Sequence, residues 1–143
     1  MRKYVNISEI YTDCFGETMK SIETPFVEFA REINNNLEIK DEETKYYAWL
    51  KDLLDKHGHI WHKYKTEEDI IKRVNEFRML IVSLGMWGYD ESQSKPLEIY
   101  GKQIYGDLMA RKWGDGWKLY DGNHRLAILY ILGYSTVPLT ICK

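Results

Sequence analysis

The stretch Leu119–Gly133, LYDGNHRLAILYILG, sets five turn-forming or charged residues directly against an apolar run. That juxtaposition leaves little choice of architecture. Trp117–Tyr120 reads as a strand, Asp121–Arg125 as a polar turn, and the run after it as a helix buried on most sides and closed by Gly133. VPLTIC then reads as a last strand with Pro138 near its start. Strand, polar turn, buried helix, strand predicts a small mixed α/β domain of the α+β class, a sheet with helices packed against it.

The preceding residues fit that plan. YVNISEIY alternates, with Val5, Ile7 and Ile10 inward, and predicts an initial strand. TPFVEFAREI predicts a helix capped by Thr24, started by Pro25 and burying Phe26, Phe29, Ala30 and Ile33. From about Asp41 to Lys56 a second helix places Tyr46, Leu50, Leu53 and Leu54 on one stripe and ends at Gly58. A third starts at the Thr66/Asp69 capping spacing, runs through Ile70, Val74, Phe77, Ile81 and Leu84, and is expected to stop at Gly85. GMWGYDESQSKP predicts a loop, LEIY a short strand, and GDG at 114–116 a turn into the strand at 117.

Length and charge bound the function. A chain of 143 residues is expected to form one domain. With 20 Lys+Arg against 22 Asp+Glu it has no global basic field to draw it to DNA or membranes, although a local basic groove stays open. Cys14 and Cys142 have neither C-x-x-C nor zinc spacing, and MRKYVNISEIY lacks the apolar core of a signal peptide. A cytoplasmic protein with free thiols is expected, with no membrane partner. Five Trp and eleven Tyr could form a binding face, but packing in the core and at its rim is the favoured use of such rings.

The knot at 121–125 carries chemistry. The first N–H groups of a helix lack intrahelical partners and the helix dipole adds partial positive charge, so this is an anion-binding position. Gly122 lets the backbone approach closely, Asn123 can cap or donate an amide, His124 can donate or shuttle a proton, and Arg125 offers a planar fork for phosphate. Asp121 can cap the helix, hold Arg125 or contact a metal ion. The residues alone weigh this equally against a capped turn in which Asp121 pairs with Arg125 or His124 and nothing binds.

DGNHRLAILYILGYSTVPLTI resembles a signature region of the ParB/sulfiredoxin-like superfamily, in which a strand delivers Gly-x-[His/Arg]-Arg into an Ala-containing helix, then Leu-Gly and a Val-Pro strand. Gly122, His124, Arg125, Ala127, Leu132, Gly133, Val137 and Pro138 fit that frame. The resemblance implies a turn-and-helix motif that grips nucleotide phosphates, with Gly122, Asn123, His124 and Arg125 lining the pocket. It extends loosely to YVNISEIY and to RVNEFRMLIVSLGMWGYDESQSKPLEIY. Two departures bear on chemistry. Sulfiredoxin places its catalytic Cys where this chain has Asn123, so sulfinic acid reduction is not expected; related CTPases and serine kinases usually carry Glu there, which weakens the case for hydrolysis or kinase chemistry. The partition proteins continue into a helix-turn-helix, whereas this chain ends at Lys143 after its last strand, so a DNA-reading part is not expected. Residues from about 34 to 69 have no counterpart and read as a helical insertion that covers the pocket or presents a partner surface.

Two other clusters stand out in the sequence. His57, His59 and His62 form H-x-H-x-x-H, but no carboxylate has partner spacing, and a solvated loop is favoured over a metal site. With Lys56, Lys63, Tyr64 and Lys65 the same stretch could touch a nucleic-acid backbone or a nucleotide base. Beside Asp107 and Asp115, Arg111 and Lys112 could reach a phosphate held at 122–125. No P-loop, G-x-G-x-x-G or G-x-S-x-G motif occurs. The expectation is therefore a domain that binds a nucleotide (CTP, ATP or ADP) or another phosphate-bearing ligand, with Mg²⁺ as a candidate companion. If it is catalytic, phosphoryl transfer or phosphodiester or NTP hydrolysis would use Asp121, His124 and Arg125. The alternative is a non-enzymatic regulator, of a phage or mobile element by analogy, that binds a protein partner through its helical insertion. A DNA-associated module ranks third.

Overall fold

The structure, a computed structural model, describes residues 2–61, 63–88, 97–99, 102–104 and 108–142. The N-terminal segment predicted as one strand is two, β1 (Arg2–Asn6) and β2 (Ile10–Cys14), parted by a 3-10 turn at Ile7–Glu9. The reason lies in pairing. One straight strand could not reach both of the places these two fill, at one end of the sheet and near the other. Val5, Ile7 and Ile10 are nevertheless buried as the alternation predicts. A further strand, β3 (Glu17–Lys20), returns antiparallel to β2 and was not predicted. Its two-residue turn is Phe15-Gly16, with φ of 48° and 84°, and Phe-Gly is not a turn signal that sequence reading recognises.

The helices are α1 (Pro25–Asn35), α2 (Lys45–His57), α3 (Glu67–Trp87) and, after the last hairpin, α4 (Asn123–Ile131). Thr24 holds the cap position of α1, but its hydroxyl donates to the Ser21 carbonyl at 2.9 Å instead of capping. The helix predicted from Asp41 begins with a separate 3-10 turn, Asp41–Glu43, and then α2 is capped by Thr44, whose hydroxyl accepts from the Tyr47 N–H at 3.0 Å. Thr66 and Asp69 form the predicted capping box of α3. That helix runs past Gly85 to Trp87; the closing glycine is Gly88, with φ of 73°.

Strands β4 (Leu97–Ile99) and β5 (Lys102–Ile104) pair in a small sheet of their own, while β6 (Leu108–Trp113), β7 (Gly116–Asp121) and β8 (Thr136–Ile141) join the main one. LEIY thus supplies β4, most of the loop predicted before it lies outside the described residues, and GDG makes the β6–β7 turn. The main sheet is mixed, in the order β1-β8-β6-β7-β2-β3, with β2 parallel to β7 and β6 parallel to β8. The protein is a small α+β fold. Ile10, Leu108, Ala110, Leu119, Val137 and Leu139 turn toward the helices, which add Phe26, Phe29, Ile33, Tyr46, Leu50, Phe77, Ile81 and Leu126 to one apolar cluster. The segment from about 34 to 69 turns its apolar stripe inward: Tyr46, Leu50 and Leu54 are buried in the same core with Ile60, and Leu53, the other residue of the predicted stripe, packs against it half-buried. Met109 pairs with Asp121 but Ala110 with Leu119, so Tyr120 is the extra residue of a bulge at the end of β7. No helix among the described residues is long and apolar enough to cross a membrane.

Two glycines give opposite expectations. A Cβ at Gly116 would collide with the Glu9 carbonyl oxygen and lie 3.1 Å from the Tyr11 ring, so Gly116→Ala should lower the unfolding free energy by about 1–3 kcal/mol. A Cβ at Gly85, inside α3, meets nothing within 4 Å, so Gly85→Ala should raise it by about 0.5–1 kcal/mol. Chemical denaturation of both variants reads the signs directly.

Candidate functional site

The chain passes from β7 into α4 through Gly122, whose φ of 102° belongs to glycine. A Cβ there would run into Leu108 and come within 3.2 Å of the Arg125 guanidinium. The first bond of α4 is Leu126 N–H to the Gly122 carbonyl, 2.9 Å, so the N–H groups of Asn123, His124 and Arg125 stand ahead of the intrahelical ladder. Beside this helix start lie the carboxyl ends of the parallel strands β2 and β7. In open α/β sheets that is where ligands settle.

A cavity of about 360 Å³ opens there, lined by Asp13, Cys14 and Phe15 of the β2–β3 hairpin, Phe26 of α1, Trp61, Lys63 and Tyr64 between α2 and α3, Arg73 of α3, and Asn123 and His124. Five elements converge on it. Four aromatic rings face two cations, which combines stacking surface with anion-binding charge. Phe15 and Trp61, at φ of 48° and 52°, are the residues other than glycine with positive φ among the described ones. Both line the cavity with centroids 6.1 Å apart, and both are about half exposed. Bulky side chains held in the left-handed region cost of order 1–3 kcal/mol each, and such outliers gather at functional sites.

His124 sits among the rings of Phe26, Phe77 and Tyr46, at centroid distances of 4.3, 5.4 and 6.0 Å. Its Nε2 lies 2.9 Å from the Tyr46 hydroxyl, and Arg73 Nε donates to that hydroxyl at 3.2 Å. All three groups are satisfied when Tyr46 accepts from Arg73 and donates to His124, which puts the imidazole proton on Nδ1. Arg73 continues to Glu76, 3.6 Å away and itself buried. Burial first, and the Arg73 charge second, push His124 well below its ordinary 6.5, so it is neutral at physiological pH. Burial raises Tyr46 to about 12, which keeps its hydroxyl protonated as a donor. Thr12, fully buried, donates to Asn123 Oδ1 and leaves the amide NH₂ as the group available to a ligand.

A second, smaller cavity of about 190 Å³ adjoins the first through Asp13 and Asn123; Thr12, Arg111, Lys118, Leu119 and Tyr120 complete its lining. The Thr18 hydroxyl, donating to Asp13, and then Lys118, 2.9 Å from it, keep that carboxyl below its usual range.

Of the residues predicted for the site, Asn123 and His124 line the cavity, and Gly122 makes the turn that presents them. Arg125 is buried beside Gly122 and lines neither cavity; the cations facing the larger one are Lys63 and Arg73. Asp121 ends β7, and its side chain lies outside the described residues. Arg111 reaches the smaller cavity, whereas Lys112 turns to the Trp117 ring, 4.7 Å away. His62 lies outside the described residues, and among the described ones no three His, Cys, Asp or Glu groups gather to hold a metal ion. Both cysteines are free, with Cys14 in the cavity wall. Sequence reading missed Tyr46 as a polar partner, Arg73 and Phe15; the signal for Tyr46 was a hydroxyl on a fully buried stripe, which requires a hydrogen-bond partner.

No protein-family model matches the chain, and no curated protein or solved structure matches it.

The neutral His124 fixes a pH dependence. Its folded pKa lies below the unfolded 6.5, so the unfolded chain binds the proton more readily and stability falls as pH drops below about 6.5. His124→Gln should remove up to about 1.4 kcal/mol per pH unit of that slope. Unfolding free energies of both proteins between neutral pH and the onset of carboxylate titration check it; equal slopes would mean that His124 is charged in the folded state.

Proposed function

We propose that the protein binds a nucleotide, or a ligand that likewise joins an aromatic ring to phosphate, in the larger cavity, as a member of the ParB/sulfiredoxin-like superfamily that residues 121–138 resemble. The observation that carries the reading is the make-up of that cavity: Phe15, Trp61 and Tyr64 offer stacking faces, while Lys63, Arg73 and the start of α4 offer positive charge to phosphate. Asn123 supplies an amide donor between the two parts. Asp13 is the carboxylate in the lining, so a Mg²⁺ ion arriving with the phosphates would meet it there.

Binding is better supported than catalysis. A general base works near its operating pH, and a histidine kept neutral by burial, with Nε2 engaged by Tyr46, is a weak one. His124 therefore acts by holding the cavity wall and by offering its Nδ1–H. Arg125 supports the turn from beneath. The inserted segment serves as a wall of the pocket through Trp61, Lys63 and Tyr64, the nucleotide-contact role weighed for that stretch.

The test is the thermal unfolding midpoint with CTP, ATP, ADP and GTP, each with and without Mg²⁺. One nucleotide at about 100 times its dissociation constant should add roughly 2.7 kcal/mol of stability. Arg73→Ala should abolish the shift. Phe15→Asn should weaken it at least about fivefold in affinity while leaving the unliganded protein as stable or up to about 1 kcal/mol more so, because Asn tolerates the left-handed backbone that Phe occupies under strain. No shift with any nucleotide, or one that Arg73→Ala leaves intact, would overturn the assignment.

A further inference from the structure

The helices cover one face of the main sheet, and the other carries a set of side chains that the larger cavity does not use, three of which, Arg111, Lys118 and Tyr120, border the smaller one. Along β6 and β7, Leu108, Ala110 and Leu119 are buried, so Met109, Arg111, Trp113 and Lys118 turn the opposite way. Register carries that face outward through Tyr4 and Arg2 on β1, and through Tyr11, Asp13 and Lys20 on β2 and β3. Tyr4 is 60% exposed, Tyr120 56%, Met109 42% and Trp113 39%, which is unusual for large apolar groups gathered on one surface.

The arrangement is ordered. The Arg111 guanidinium stands between two rings, 5.9 Å from Trp113 and 5.5 Å from Tyr120. The Lys118 ammonium lies 4.2 Å from the Trp113 centroid. The bulge at Tyr120 turns its ring beside Arg111. A protein that is acidic overall thus brings Arg2, Lys20, Arg111 and Lys118 to this face, and the described carboxylate there, Asp13, is tied to Lys118 and Thr18. Tyr4 stands three strands from β7, roughly 14 Å across at the usual strand spacing, so the rings span the room for a few successive bases.

We infer that this open sheet face binds single-stranded nucleic acid, with bases stacked on Tyr120, Trp113 and Tyr4 and phosphates met by Arg111 and the flanking cations, while Lys118, paired with Asp13, holds the Trp113 ring. Exposed rings interleaved with cations on a sheet are the combination that holds single strands without reading their sequence. A rigid duplex offers its bases only in the grooves and cannot stack them on a flat sheet. The inference does not depend on the nucleotide reading of the larger cavity, because none of Tyr4, Arg111, Trp113, Lys118 and Tyr120 lines that cavity.

The experiment is fluorescence anisotropy of a labelled oligo-dT of about 20 nucleotides titrated with the whole protein, alongside an oligo-rU and a duplex of equal length. The single strands should bind and the duplex at least about tenfold more weakly, with affinity falling roughly tenfold or more between about 50 and 200 mM salt. Trp113→Ala and Arg111→Ala should each weaken binding about tenfold while their thermal unfolding stays near that of the parent. Arg73→Ala, on the other side of the sheet, should leave it unchanged. Equal affinity for duplex, no binding at low salt, or binding indifferent to both Trp113 and Arg111 would each overturn the proposal. Loss of nucleotide binding in Arg73→Ala with oligonucleotide binding intact separates the two sites.

Discussion

The Tyr46 hydroxyl is the joint on which the helical layer turns. It receives Arg73 from α3 and meets His124 at the start of α4, so three segments far apart in sequence are fixed by one oxygen atom. In a buried setting each of these groups would be costly without its partners, and together they specify a single arrangement. The segment from about residue 34 to 69 is therefore a structural part of the site. Without α2 the imidazole of His124 would lose the Tyr46 hydroxyl that engages its Nε2.

Much of the fold was legible because its signals are local. Hydrophobic spacing gave α1, α2 and α3 with their buried residues, the capping box placed the start of α3, and the Gly-bearing hairpin and final strand followed from turn chemistry. The errors came where pairing decided the outcome. Whether residues 4–11 form one strand or two depends on where β7 and β8 lie, and nothing within that segment encodes it. The stop at Gly85 was misjudged because a helix interior packed through Leu80, Ile81 and Leu84 tolerates one glycine.

The site was legible in half. The turn at 122–124 announced itself through glycine and polar residues crowded before an apolar run. The cations and rings facing it came from segments 50 to 110 residues away, and only the fold could join them. Arg125 shows the limit of reading a motif by residue type: a guanidinium beside a polar strand-to-helix turn can equally serve the turn from within. Phe15 and Trp61 carried no sequence signal at all, since backbone strain is a property of the conformation and not of the residue.

The strand pairings set the order in which the molecule can be made. β1 finds its neighbour in β8 and β2 one of its two in β7, and Thr12 reaches Asn123 across 111 positions of sequence. Such long-range contacts slow folding, because each closes a large loop before it returns any stability. On a ribosome, β1 would wait for β8, and β2, paired early with β3, would keep its other edge open until the chain beyond residue 116 had emerged. The larger cavity, which needs both ends of that chain, is among the last features of the molecule to exist.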